Sequence, residues 1–284
     1  MDKRSFCSVF KKMMAWFPIF VRGFSTSKAM SSTISQVTVI GGGLMGSGIA
    51  QVAAQAGNSV VICEVNDKAL QNAQTRIQTS LERVAKKMYK DKPEDGKKFI
   101  SDTMGRMKLS TAVNDAVKSA DLVIEAIVEK MEVKHKLFKE IDAVAPGHTI
   151  FASNTSSLSI KEIASVTKRK DKFGGLHFFN PVPVMKLLEV IKTDETSEDT
   201  YKKLLEWGKA VGKTTITCKD TPGFVVNRLL VPYMAEAARL YERGDASARD
   251  IDTAMKLGAG YPMGPLELLD YVGLDTTKFI LDGW

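Results

Sequence analysis

The chain has 284 residues, 44% hydrophobic and 26% charged, a globular composition with room for one large domain and a smaller one. Its net charge of +7 is concentrated at one end, because residues 1–30 hold Lys3, Arg4, Lys11, Lys12, Arg22 and Lys28 against Asp2, five of the seven charges. The near-neutral remainder excludes a general polyanion-binding surface, so no nucleic-acid partner is expected.

Residues 1–30 read as an organellar presequence: basic, nearly free of acids, interleaved with Phe, Trp and Met, and Ser-containing at the end. "RGFSTS" (22–27) is similar to the mitochondrial processing pattern, with Arg two residues before a Phe-Ser junction. Arg22 after the apolar stretch, and no small-x-small cleavage site, argue against a secretory signal. The mitochondrial matrix is the expected location. The longest apolar run, "MMAWFPIFV" (13–21), falls far short of the roughly 20 residues that span a bilayer. Cys7, Cys63 and Cys218 have no paired spacing, so neither a disulfide framework nor a Cys/His metal site is expected.

"QVTVI" (36–40) is a short β-branched strand, followed at once by "GGGLMGSGIAQVAAQAG" and a second apolar run, "SVVICE" (59–64). Gly41, Gly43 and Gly46 fit G-x-G-x-x-G. The first allows the tight turn, the second lets the backbone approach a pyrophosphate, and the third permits close helix packing. The stretch 41–46 (Gly41, Gly42, Gly43, Leu44, Met45, Gly46) is therefore a candidate dinucleotide cradle. Glu64, at the end of the second strand, is placed to accept hydrogen bonds from both hydroxyls of an adenosine ribose and to repel a 2′-phosphate, which favours NAD over NADP.

Leu70, Ala73, Ile77, Leu81, Val84 and Met88 are spaced as one face of a long helix over 67–88. "DKPEDG" (91–96) breaks it, and a second helix runs to about Met107. This hairpin gathers Arg83, Lys86, Lys87, Lys90, Lys92, Lys97 and Lys98: either a solvated face or an arm that meets a phosphorylated carrier. Buried-strand runs follow at 120–127, 148–153, 173–179, 185–191 and 214–218, mostly with helical patterns between them. Alternation of this kind predicts a doubly wound, mostly parallel sheet of Rossmann type, covered on both faces. After "KDTPGF" (219–224) only helical patterns remain, over 225–243, 247–257 and from near Leu266. The chain thus divides into a nucleotide-binding domain over 36–219, with its hairpin arm, and a smaller helical domain over 220–284.

Ligands in open α/β sheets bind outside the carboxyl ends of the strands. Polar clusters fall at such ends in "IVEK" (127–130), "SNTSS" (153–157) and "HFFNP" (177–181). One imidazole, His177, and one carboxylate, Glu189, stand twelve residues apart in otherwise apolar sequence, and burial of both requires that they pair. His135, on a charged helix face, and His148, in a "PGHT" turn, read as solvated.

"VIGGGLMGSGIA", "EAIVE", "FASNTSSL", "GLHFFNPVPVMKLLEVI", "DTPGFVVNRLL" and "GAGYPMGPLELLDYVGLD" together resemble the monofunctional L-3-hydroxyacyl-CoA dehydrogenases of mitochondrial fatty-acid β-oxidation, from about Gln36 to Trp284. The resemblance implies NAD as cofactor, an acyl-CoA substrate, His177 as the acid/base and Glu189 as its orienting partner. It implies Ser156 near both substrate oxygen and nicotinamide, Asn180 beside the cofactor, Asn227 as a donor in the active site, Glu129 and Lys134 as cofactor contacts, and Ser80 and Lys87 as contacts of the CoA moiety. The chain departs from the family twice. Glu64 stands where Asp is more usual, and the family continues for about another helix pair and a glycine-rich, lysine-containing tail. The helical domain is therefore read as incomplete, and the family's homodimer as weakened here. Two rival readings are a related β-hydroxyacid dehydrogenase, whose relatives use a lysine where this chain carries His177 and Glu189, and a nucleotide-binding module of the same family without turnover.

Overall fold

Short β-branched runs form the strands of this protein, and the longer patterns with helical spacing form the helices that cover them. The computed structural model describes residues 34–282 and 284; the presequence reading lies outside these residues. Among the described residues one sheet contains β1 (Gln36–Ile40), β2 (Ser59–Cys63), β3 (Met107–Ser110), β4 (Leu122–Glu125), β5 (Ile150–Ser153), β6 (Phe173–Phe178), β7 (Leu187–Lys192) and β8 (Thr214–Lys219). The spatial order is β3-β2-β1-β4-β5-β6-β7-β8. Neighbours are parallel except β6 and β7. Strand order reverses at β1, flanked by β2 and β4, which opens a crevice at the carboxyl ends of the strands.

Helices α1 (Leu44–Gln55), α2 (Asp67–Met88), α3 (Pro93–Gly105), α4 (Val113–Val117), α5 (Met131–Asp142), α6 (Ile160–Ala164) and α7 (Glu198–Ala210) accompany the sheet. Successive strand residues feed opposite layers: Leu122 and Ile124 of β4 join Ile49, Ile77 and Trp207, whereas Val123 joins Phe138, Phe151 and Phe173. Burial on both faces explains why the central strands read as unbroken apolar runs. Each fully buried Leu, Ile or Phe contributes roughly 1.5–3 kcal/mol. Helix α2 has the predicted bounds, capped by the Asn66 side chain, which accepts from the Ala69 amide at 2.9 Å.

One feature differs from the sequence reading. The hairpin's second helix stops at Gly105, and Met107–Ser110 pairs with β2 as an edge strand. Four half-exposed residues give too little alternation to register as a strand. Strand β7 runs antiparallel to β6 because the connection 179–186 is shorter than the dozen or so residues a parallel crossover needs. Beyond β8, helices α8 (Val226–Glu242), α9 (Ala248–Gly258), α10 (Pro265–Val272) and α11 (Leu274–Asp282) surround a small core of Val231, Met234, Leu269 and Ile280. No described helix is long and apolar enough to cross a membrane.

Candidate active site

The turn after β1 tolerates only glycine at its ends. Gly41 has φ +97°, and a Cβ there would lie 2.5 Å from the Ala126 carbonyl oxygen; at Gly46 it would lie 1.7 Å from the Gly41 oxygen. Gly43, the residue before α1, faces open space, and no side chain caps this helix. Its first amides are therefore available to an anion, which the helix dipole also favours. Glu64 accepts from the Gly42 amide at 2.7 Å and from the Val65 amide at 3.0 Å. It lines a cavity of about 660 Å³ with Gly41, Gly43 and the exposed side chains of Val65, Val128 and Val133. Open amides, a terminal carboxylate and uncovered apolar walls fit the pyrophosphate, ribose and adenine of a dinucleotide.

His177 and Glu189 stand directly opposite each other on β6 and β7, with both side chains buried. The Nδ1 of His177 lies 2.7 Å from Oε2 of Glu189. The other carboxylate oxygen accepts from the amides of Val225 at 3.2 Å and Val226 at 2.9 Å, at the start of α8. Phe224, in the left-handed region at φ 51°, turns the chain so that these amides face Glu189. Its ring and that of Phe179 flank the imidazole, with centroids at 5.5 and 4.5 Å. With Nδ1 committed to Glu189, Nε2 is the nitrogen left for the cavity that His177 lines with Met45, Glu129, Lys134, Ser156, Asn180 and Asn227.

Ser156 is fixed from two directions. Its amide donates to Glu129 Oε1 at 3.0 Å, and its carbonyl accepts from Asn227 Nδ2 at 3.3 Å. Glu129 also accepts from the Thr155 hydroxyl at 2.5 Å and faces the Lys134 ammonium at 3.1 Å. Burial opposes the Glu129 charge, but Lys134, Thr155 and the Ser156 amide outweigh it and hold the carboxyl below its ordinary pKa. Lys134 is itself buried, 2.6 Å from Glu125, whose second oxygen accepts from Ser153 at 2.6 Å. Glu125 was not among the sequence candidates; its signal was an acid closing the buried run "LVIE". Asp220, also missed, accepts from the Ser159 hydroxyl and the Ile160 and Lys161 amides, and so ties the end of β8 to the helix after Ser156.

Ser80 lines a neighbouring cavity of about 330 Å³ with Leu44, Arg83, Asn180, Pro181 and Pro183. Lys87 lies on the same face of α2, one turn beyond Arg83, and is exposed outside that lining. Lys97 and Lys98 pair with Glu94 and Asp102 on the surface, at 2.8 and 3.0 Å, which returns these two to an ordinary solvated face. His148 is exposed, 3.3 Å from Asp121, as a solvated histidine should be. His135 is not simply solvated: its Nε2 lies 2.8 Å from the Glu162 carbonyl and joins α5 to α6.

Two family models account for nearly all of the described chain: "3-hydroxyacyl-CoA dehydrogenase, NAD binding domain" over residues 36–221 and "3-hydroxyacyl-CoA dehydrogenase, C-terminal domain" over 223–284. The chain belongs to the 3-hydroxyacyl-CoA dehydrogenases. A human relative, mitochondrial hydroxyacyl-coenzyme A dehydrogenase, is 58% identical over 270 residues, covering 93% of this chain and 86% of that protein. A probable 3-hydroxyacyl-CoA dehydrogenase of Caenorhabditis elegans is 60% identical over 264 residues, covering 93% and 85%. The structure of (S)-3-hydroxybutyryl-CoA dehydrogenase from Ralstonia eutropha superposes with a TM-score of 0.84 at 43% identity, covering 88% of this chain and 87% of that one. This 3-hydroxyacyl-CoA dehydrogenase is thus an NAD-dependent oxidoreductase with a Rossmann domain followed by a helical one.

Proposed function

We propose that His177 is the general base in the oxidation of an L-3-hydroxyacyl-CoA at C3, taking the proton of the 3-hydroxyl, and that Glu189 sets its tautomer. The observation that carries this reading is the 2.7 Å Nδ1–Oε2 contact, made by a carboxylate whose other oxygen is already bound by two helix amides. Nδ1–H donates to Glu189, so Nε2 keeps its lone pair for the proton of the substrate's 3-hydroxyl. As that proton arrives, the imidazolium is stabilised by the buried carboxylate beside it. Bound NAD supplies the acceptor for the hydride that leaves C3. Ser156, held through its amide and its carbonyl, presents its hydroxyl to the substrate oxygen, and Asn180 lies where substrate and nicotinamide meet. Gly41 to Gly46, Glu64, Glu129 and Lys134 would hold the cofactor, with Asn227 supporting Ser156. The direct test is oxidation of NADH by the purified protein with acetoacetyl-CoA; absence of turnover would favour the binding-module reading.

Glu64 sets coenzyme choice in this scheme. Glu64→Ala removes a ribose acceptor and the anchor of the Gly42 amide, so KM for NAD should rise by on the order of tenfold. The preference over NADP should narrow because the repulsion of a 2′-phosphate is gone. Kinetics with both coenzymes check this; equal use of NADP by the wild type would refute the assignment.

Ser80 and Lys87 are proposed to meet the CoA moiety, Ser80 within its cavity and Lys87 further along the same helix face. Lys87→Ala should raise KM for acetoacetyl-CoA more than it lowers kcat, the mark of lost uniform binding. The effect should shrink with a pantetheine substrate that lacks the nucleotide phosphates. An unchanged ratio between the two substrates would make Lys87 a solvated surface lysine.

The matrix location, a domain boundary at 219/220 and a homodimer complete the proposal. The basic leader and the mitochondrial relatives support the first. The switch from strands to helices supports the second. Exposed Leu229, Leu257, Tyr271 and Leu274 on the C-terminal helices support the third.

A further inference from the structure

The connection between the strands that carry His177 and Glu189 is held by a lysine that the reaction scheme does not use. Lys213, immediately before β8, is only 8% exposed. Its ammonium donates to the Val182 carbonyl and, at 2.8 Å, to the Met185 carbonyl, and it sits 6.0 Å from the centre of the Phe178 ring. Among the described residues it forms no ion pair with a carboxylate, and the titratable group it feels is another cation, Lys186. A buried ammonium without a counter-ion is costly, and an apolar side chain of similar length would avoid that cost.

The gain lies in what the ammonium holds. Asn180 lines both the His177 cavity and the Ser80 cavity, and Pro181, Val182 and Pro183 line the second. Val182 is pressed against α1, where a Cβ added at Gly48 would come within 2.7 Å of its own Cβ. The segment is also clasped by backbone bonds: the Val184 and Met185 amides donate to Pro181, and the Thr214 amide donates to Lys186. Of these ties, the two from Lys213 are the ones that depend on a charge.

We propose that charged Lys213 is a positioning residue that fixes the wall shared by the two ligand cavities and so sets how firmly acyl-CoA and cofactor are held beside His177. The inference rests on the catalytic reading given above. Ammonium–carbonyl bonds are roughly twice as strong as neutral ones, so the wall loosens as Lys213 loses its proton. Burial, with Lys186 adding repulsion, pulls the Lys213 pKa down to about 8. Stability should respond with the opposite sign. Between about 8 and the ordinary value of 10.5 the unfolded chain binds the extra proton, so this group's contribution makes the fold more stable as pH rises. This linkage holds whatever the tie does for the ligands, so the readout that marks a positioning role is KM, which should worsen over the same pH range in which this stability term improves.

The test is a pH series of kcat and KM for (S)-3-hydroxybutyryl-CoA oxidation in wild type, Lys213→Met and Lys213→Arg, with denaturant unfolding alongside. The oxidising direction is chosen because alkaline pH favours an imidazole base. Wild type should show KM rising by on the order of tenfold across pH 8, the worth of one charge-assisted hydrogen bond, with kcat little changed. Lys213→Met should have a high KM at every pH and no alkaline rise, and Lys213→Arg, which stays charged, should move the rise beyond the measured range. A Lys213→Met enzyme with wild-type KM at neutral pH, or one that keeps the alkaline rise, overturns the inference. Should Lys213→Met not fold, wild type against Lys213→Arg still decides. If wild type turns over no 3-hydroxyacyl-CoA, the catalytic reading fails by itself, and the same pH comparison is made on NADH binding, where an unshifted Kd overturns the role of Lys213.

Discussion

His177→Gln is expected to lower kcat for 3-hydroxyacyl-CoA oxidation by about 10²–10⁴-fold, the usual contribution of a positioned general base. The change keeps a polar side chain of similar bulk between Phe179 and Phe224 but removes the lone pair that accepts the substrate proton. Cofactor affinity should change little, because the substitution leaves intact the glycine turn between β1 and α1 and the carboxylate of Glu64 just after β2. The measurement is kcat from initial rates beside Kd for NADH from fluorescence titration. A fall in NADH affinity as large as the fall in kcat would move His177 from the chemistry to the cofactor site.

Local chemistry made the nucleotide half legible from sequence. A β-branched pentapeptide, glycines at fixed offsets and an acid closing the next strand are contiguous, and each has one strong physical reading. Helix 67–88 was equally plain because 22 residues give the 3.6 period room to repeat. Edge strand β3 was missed for the opposite reason, being four residues without alternation. What sequence could not supply was register. That His177 and Glu189 are cross-strand neighbours follows from the antiparallel pairing of β6 with β7, whereas in sequence they were only two titratable groups in apolar surroundings.

Long-range partners were hidden for the same reason. Glu125 finds Lys134 and Ser153, Asp220 finds the start of α6, and Lys213 finds two carbonyls about thirty residues upstream, none of which leaves a periodic trace. Each is a polar side chain inside or beside an apolar run. That signal pointed to His177 and Glu189 and, applied evenly, would have singled out Glu125 too. Lys87 shows the limit of a resemblance: its helix face agrees with a role in CoA binding, yet Ser80 and Arg83 line the cavity and Lys87 does not.

Glu189→Gln is expected to lower kcat by on the order of 10²-fold or more and to destabilise the fold by about 1–3 kcal/mol, the cost of leaving a buried donor unpaired. Glu189 accepts on both oxygens, from His177 on one and from the Val225 and Val226 amides on the other. A carboxamide has only one acceptor oxygen. If that oxygen faces the amides, its NH₂ faces Nδ1, and the imidazole must take the tautomer with the proton on Nε2, which can no longer accept one from substrate. If the oxygen faces His177, the NH₂ collides with the α8 amides and the helix loses the charge that complements its dipole. Either orientation removes the charge that complements the helix dipole, and the one that keeps the α8 amides bonded also removes the lone pair at Nε2, so the variant should lose both stability and turnover, whereas His177→Gln should lose mainly turnover. Unfolding curves and kcat for the two variants side by side separate these outcomes. A Glu189→Gln enzyme with wild-type kcat would mean that the carboxylate merely anchors α8 and does not set the histidine's tautomer.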